Sequence, residues 1–248
     1  MSVAPTQPAR RTALDVCERP ALHIVPDAPA DSSAGARPAR RPLVADARRA
    51  LDLLVASVLL LVLAPLLAAI ALAIRIDSRG PALFRQRRVG RNRKEFTIFK
   101  FRTMRCDADI APHRRYVQSL IDGPATSERG RLYKLSVDDR VTRVGRVLRS
   151  WSLDELPQLF NVLRGEMALV GPRPVIPYEV DIYPDAYLRR FAVKPGLTGL
   201  WQVSGRNERT YDEMVRFDIE YAESASLLLD LRILARTVPV VLGRQGVA

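Results

Sequence analysis

Residues 50–74 read ALDLLVASVLLLVLAPLLAAIALAI, 25 positions with a single charge, Asp52. This run decides the architecture, because it meets the length and polarity test for a membrane helix. It is too long for the apolar part of a signal peptide and starts some fifty residues into the chain. Arg40, Arg41, Arg48 and Arg49 precede it, and residues 75–105 after it hold eleven Lys and Arg against Asp77 and Glu95, a net of +9. A straight single span carries its Lys and Arg excess on one side, so two basic flanks point to a segment that enters and leaves by the same, cytoplasmic face. Pro65 offers the means, since an interior proline removes one helix hydrogen bond and clashes with the preceding turn. At about 1.5 Å per residue, Leu51 to Ala64 and Leu66 to Ile74 would be roughly 21 and 14 Å long, each short of the ~30 Å hydrocarbon core. A re-entrant helix-break-helix over residues 46–76 fits, and a kinked ordinary span is the alternative.

The rest of the chain sets the setting. It has 248 residues, 48% of them apolar, and a net charge of +12, which suits one domain with a tail and an anionic partner: nucleic acid, an acidic membrane surface or a phosphorylated substrate. Cys17, Cys106, His23 and His113 lie far apart, so neither a disulfide framework nor a Cys/His zinc site is expected, and any metal must be held by oxygen. Residues 1–45 are rich in Ala, Pro, Arg and Ser, as in DAPADSSAGARPARRP, and read as a disordered tail. Residues 77–248 would then form the cytoplasmic, membrane-associated catalytic domain. The expected class is α+β, mainly helical, with a small β-hairpin.

Within that domain, FRQRRVGRNRKEFTIFKFRTM (residues 84–104) has a Val-Gly-Arg-Asn turn between two segments, the second alternating Phe96 and Ile98 with Thr97 and Phe99, and reads as the hairpin. A short helix is expected near His113 to Ile121, with a loop after it. From Val144 the pattern turns helical, and Leu153, Leu156, Leu159, Phe160 and Leu163 share one face of SLDELPQLFNVLR. A short apolar strand, Met167 to Val170, runs into Gly171-Pro172-Arg173-Pro174, which must be a rigid turn because its two prolines fix φ and withdraw two donors. Tyr211 to Glu223 and Leu227 to Val241 read as amphipathic helices, the last with Leu228, Leu231, Leu234, Ala235 and Val238 on its apolar side. No Walker A, GxGxxG, GxSxG or HExxH pattern occurs.

Two constellations could carry chemistry. Asp154 and Glu155 adjoin at the start of a predicted helix, with Ser152 placed to cap it. A plain capping box, Ser152-x-x-Glu155, explains both acids. Phosphoryl chemistry explains them as well, given Arg140, Arg143, Arg146, Arg149, Arg164 and Arg173 nearby: an Asp nucleophile, a hard divalent ion on carboxylate oxygens and Arg to hold the transferring phosphate. Arg173 between its prolines is either a solvated side chain on a turn or an anion clamp. The segment PGLTGLWQVSGRN (residues 195–207) could bring backbone N–H groups close to phosphates.

Together these segments resemble the bacterial sugar transferases, the monotopic polyprenyl-phosphate phosphoglycosyl transferases. The resemblance rests on the Pro65-broken apolar run, FRQRRVGRNRKEFTIFKFRTM, LRSWSLDELPQLFNVLRGEMALVGPRP, KPGLTGLWQVSGRN and SLLLDLRILARTVPVVL, in this order over roughly residues 45–243. It implies transfer of a sugar 1-phosphate from a UDP-sugar to undecaprenyl phosphate with release of UMP, at the cytoplasmic face of the bacterial inner membrane. It implies Asp154 as the nucleophile of a covalent phosphosugar intermediate and Glu155 as its partner, the two holding Mg²⁺ or Mn²⁺. It places Lys100, Arg149, Arg173, Arg206 and Asp230 around the site and makes the proline-broken helix a re-entrant anchor. The closing segments resemble enzymes that start exopolysaccharide repeats, which suggests UDP-glucose or UDP-galactose as donor. Larger members carry several spans before this domain, and residues 1–45 have no counterpart. Membrane lipid is a partner on this reading, nucleic acid is not, and a homodimer is compatible with it.

The competing class is a membrane-tethered adaptor or nucleic-acid-binding protein that uses the basic stretch. Anionic lipid already explains such a stretch beside an apolar segment, at about 1 kcal/mol per Lys or Arg near the surface, and no helix-turn-helix, RRM or zinc signature supports the alternative.

Overall fold

The computed structural model describes residues 42–105, 140–205 and 209–243. The expected helix near His113 to Ile121, most of the 1–45 segment and both cysteines lie outside these residues.

The apolar run is one helix, α1 (Pro42–Asp77). Proline suits the first helical turn, where its missing N–H has no partner to lose, so the helix takes up the last residues of the supposed tail. It is helical on both sides of Pro65 and through it, which corrects the expected break into two pieces: one missing hydrogen bond does not interrupt a ladder whose neighbouring bonds remain. Only 11% of its most apolar window is buried, so it is not the core helix of a soluble domain. The middle stands clear, with Leu61 78% and Val62 65% exposed, while the two ends pack. Ala56 joins a core with Ile98, Leu159, Val162, Met167, Val170, Tyr221 and Ile233. Ile70 and Ile74 join a second core with Ala82, Phe101 and Leu148.

The hairpin pairs β1 (Leu83–Val89) antiparallel with β2 (Glu95–Phe101), Phe84 opposite Lys100 and Gln86 opposite Ile98. Alternation sends Ile98 and Lys100 to one face and Phe99 and Phe101 to the other, so β2 contributes to both cores and to the site. Next comes α2 (Arg143–Ser150), whose Thr142 cap accepts the Gly145 N–H at 2.9 Å. A Cβ on Gly145 would fall 2.2 Å from the Thr103 carbonyl oxygen, so only glycine lets this helix lie against the end of the hairpin.

The stretch expected as one long helix is divided. Residues Leu153–Gln158 form a 3₁₀ turn and Leu159–Arg164 form α3. Pro157, inside the turn, lacks the N–H an α-helix would need there. The expected apolar face is corrected accordingly: Leu159 and Val162 are fully buried, whereas Phe160 is 47% exposed. Strand β3 (Ala168–Val170), the short helix α4 (Pro177–Val180) and a 3₁₀ segment (Asp185–Ala192) lead to β4 (Gly196–Thr198), which runs parallel to β3. The two meet so closely that a Cβ on Gly196 would sit 2.0 Å from the Gly171 nitrogen.

Helix α5 (Tyr211–Ser224) opens on a Thr210–Glu213 capping box, and α6 (Leu227–Leu242) is capped by Ser226. On α6 the apolar side read from the sequence is largely uncovered. Asp230 and Ile233 are buried, while Leu228 (58%), Leu231 (47%) and Val238 (58%) are exposed. Asp230 turns inward to meet Arg48, and the apolar stripe is left outside.

Candidate active site

The chain turns sharply at Ser152 to present the acidic pair. Its φ of 55° lies in the left-handed region and its side chain makes no capping bond, which corrects the Ser152-x-x-Glu155 box. The Glu155 N–H bonds the Ser152 carbonyl oxygen at 3.3 Å instead. Capping therefore does not account for the acids, and the helix behind them is shorter than the sequence suggested.

Across from this turn stands β2. Lys100 Nζ donates to Glu155 Oε1 at 2.7 Å, and both side chains are about one-fifth exposed (18% and 20%). Arg149, in the last turn of α2, donates from Nε to Thr103 Oγ1 at 2.9 Å. Asp154 is half-buried; loss of water pushes its carboxyl above the ordinary carboxylate range, Lys100 and Arg149 pull it down, and Glu155 pushes it up. A cleft lined by Arg88, Lys100, Glu155, Gln158, Arg173 and Gln202 opens beside the pair.

Of the expected site residues, the structure thus brings Asp154, Glu155, Lys100, Arg149 and Arg173 into one neighbourhood. Asp230 is elsewhere engaged: Arg48 Nε donates to its Oδ2 at 2.6 Å, and the Tyr221 hydroxyl lies 2.7 Å from its Oδ1. Arg206 lies outside the described residues. Arg143 and Arg146 face solvent, and Arg164 stacks on the Phe99 ring at 4.8 Å. The Gly171–Pro174 turn is rigid as expected, with the Gly171 N–H on the Thr198 carbonyl oxygen and the Gly196 N–H on that of Pro172, each at 2.9 Å. That second bond occupies one of the N–H groups expected to face a phosphate.

Sequence reasoning missed a residue that ties β2, the strand carrying Lys100, to α3. Asn161, fully buried, donates from Nδ2 to the Thr97 carbonyl oxygen at 2.6 Å and accepts the Phe99 N–H on Oδ1 at 3.1 Å. It behaves as one more rung of the hairpin, supplied by α3. The signal was an amide between Leu159 and Val162 on an otherwise apolar face. Asn161→Ala is expected to lower stability by about 2–4 kcal/mol, since two part-buried backbone groups lose their partner, and chemical denaturation in detergent would measure it.

Two carboxylates beside cations, in a chain with one long apolar helix, form an arrangement suited to phosphate chemistry. The comparisons agree in kind. Residues 44–244 match the family of bacterial sugar transferases, and the chain belongs to that family. It is 43% identical over 206 residues to the exopolysaccharide production protein ExoY of Rhizobium meliloti strain 1021, covering 83% of this chain and 90% of that one. It is 45% identical over 205 residues to a UDP-glucose:undecaprenyl-phosphate glucose-1-phosphate transferase of Caulobacter vibrioides (79% and 69% covered). It is 42% identical over 201 residues to an undecaprenyl-phosphate galactose phosphotransferase of Salmonella typhimurium (80% and 41% covered).

Proposed function

We propose that this chain moves a sugar 1-phosphate from a UDP-sugar, UDP-glucose or UDP-galactose, to undecaprenyl phosphate as the first membrane step of exopolysaccharide synthesis. The observation that carries the reading is the acidic pair at the Ser152 turn, with Lys100 bonded to Glu155 at 2.7 Å and Arg173 in the same cleft, in a chain with relatives named for this transfer.

Asp154 attacks the phosphorus that bears the sugar. An aspartyl oxygen–phosphorus bond forms, the phosphoanhydride bond breaks, and UMP leaves with its electrons. A phosphate oxygen of undecaprenyl phosphate then attacks the same phosphorus, releases the Asp154 carboxylate and carries the phosphosugar away as a lipid diphosphate. Arg173 and Arg149 steady the equatorial oxygens. Lys100 orients Glu155. Asp154 and Glu155 offer a hard divalent cation the oxygen donors it prefers. Among the described residues no third His, Cys, Asp or Glu joins them, and a bound Mg²⁺ or Mn²⁺ would supply positive charge to offset the diphosphate. UMP release from a panel of UDP-sugars given undecaprenyl phosphate tests the reading; no release with any of them ends it.

For the anchor we infer a re-entrant path. At one end of α1, Arg49 donates to the carbonyl oxygens of Val162 and Leu163 at 2.7 and 3.0 Å, and Arg48 to Asp230. At the other, Asp77 accepts the Val144 N–H at 3.1 Å and Arg102 donates to the carbonyl oxygen of Arg79 at 2.6 Å. One domain holds both ends, although residues 48–77 would reach about 44 Å if straight, more than the ~30 Å of a hydrocarbon core. A crossing helix would place its ends on opposite sides. The bare stripe of α6 has lipid as its natural neighbour on this reading. With Cys17 and Cys106 replaced, thiol labelling of Ala45→Cys and Pro81→Cys in right-side-out and inverted vesicles is expected to reach both positions from the cytoplasmic face only. Labelling of either from the outside overturns the re-entrant path.

A further inference from the structure

Arg190 and Asp218 form an ion pair with almost no exposure, 1% each, on elements that contribute nothing to the cleft lining. Such a pair loses much of its Coulomb gain to desolvation, and apolar side chains of similar volume would hold a core at least as well. What the charges do here is visible in their remaining contacts. Arg190 Nη2, besides Asp218, donates to the Arg173 carbonyl oxygen at 3.1 Å, and Nη1 donates to the Tyr183 hydroxyl at 3.0 Å. The Asp218 carboxylate also faces the Arg173 N–H. Arg88 Nη1 takes the next carbonyl oxygen, that of Pro174, at 3.2 Å. The single residue in this turn with a side chain made for phosphate therefore has its backbone carbonyl held by the arginine of one buried pair.

We propose that Arg190 and Asp218 are positioning residues for Arg173: the pair holds the Arg173 peptide so that its guanidinium meets the diphosphate of the bound UDP-sugar without first being ordered. The inference rests on the proposed sugar-phosphate transfer and deepens it. A planar guanidinium is required, because it serves Asp218, Arg173 and Tyr183 from fixed directions, and a lysine ammonium cannot.

The test is a double-mutant cycle of Arg190→Lys and Arg173→Ala, with UDP-glucose or, where the chain prefers it, UDP-galactose. Arg190→Lys keeps the charge beside Asp218. It is expected to lower kcat/KM about tenfold with most of the change in KM, and less than about twofold once Arg173 is alanine, since coupled residues do not add. Equal losses in both backgrounds, or an unchanged KM, overturn the inference, because general loosening of the core would act with or without Arg173. If Arg190→Lys does not fold, Asp218→Asn enters the same cycle with the same expected outcomes. A wild-type chain that releases no UMP fails the parent reading instead. The pairing is then read from amide exchange at Arg173, which is expected to speed up in Arg190→Lys and whose constancy overturns the inference.

Discussion

Asp154→Asn is expected to remove UMP release by at least about 10³-fold and to abolish any trapped phosphosugar adduct, while melting temperature stays close to that of the parent chain. Asparagine has the same shape and lacks only the nucleophilic oxygen charge. The expectation of a preserved fold follows from Ser152, whose left-handed backbone and lack of a side-chain cap bond leave no capping box for the acidic pair to support. The same residue sets an acid limit. Burial raises the Asp154 pKa, and the attacking form is the ionised one, so kcat/KM is expected to fall as pH drops through a value above the ordinary carboxylate range of about 4. Near-normal rates in Asp154→Asn move the nucleophile elsewhere.

Excess chelator is expected to stop turnover completely, and Mg²⁺ or Mn²⁺ to restore it. Cleaving a diphosphate builds negative charge beside two carboxylates, and the described cations are partly engaged elsewhere: Lys100 on Glu155, Arg149 on Thr103. A hard divalent ion held by Asp154 and Glu155 would supply the missing charge. Zn²⁺ has no Cys/His cluster among the described residues and is not expected to substitute. Binding of UDP to Glu155→Gln, followed calorimetrically with and without Mg²⁺, separates lost metal affinity from lost chemistry. Full turnover in chelator overturns the metal requirement.

Much of the fold was legible because its signals are local. The hairpin around Gly90, the strand before Gly171 and the helices from Tyr211 and Leu227 all follow from period and turn chemistry. What stayed hidden depends on groups far apart in sequence. Nothing near Asn161 announces that its amide will complete β2, and nothing near Asp230 announces Arg48, 182 positions away. Asp230 was read as a site residue because the resemblance supplies positions without contacts. The apolar side of α6 was legible, but periodicity identifies such a face without saying what will cover it. The Asp154–Glu155 pair was legible as chemistry, yet its position opposite Lys100 depends on the Ser152 reversal and the Pro157 interruption.

The bonds at the base of α1 also mean that the anchor is not a detachable tether. Asp52 Oδ1 accepts the Leu169 N–H at 3.0 Å, in the strand that leads to Arg173, and Tyr221, bonded by Arg48 at 2.7 Å, lies 2.9 Å from the Val170 carbonyl oxygen. Ala56, Ile70 and Ile74 are core residues. A chain cut before residue 77 would open both cores, strand the Asp230 carboxylate and leave β3 without its acceptor. Trimming the long apolar helix is therefore expected to unfold the protein rather than solubilise it, because that helix is also the foundation on which the turn carrying Arg173 is built.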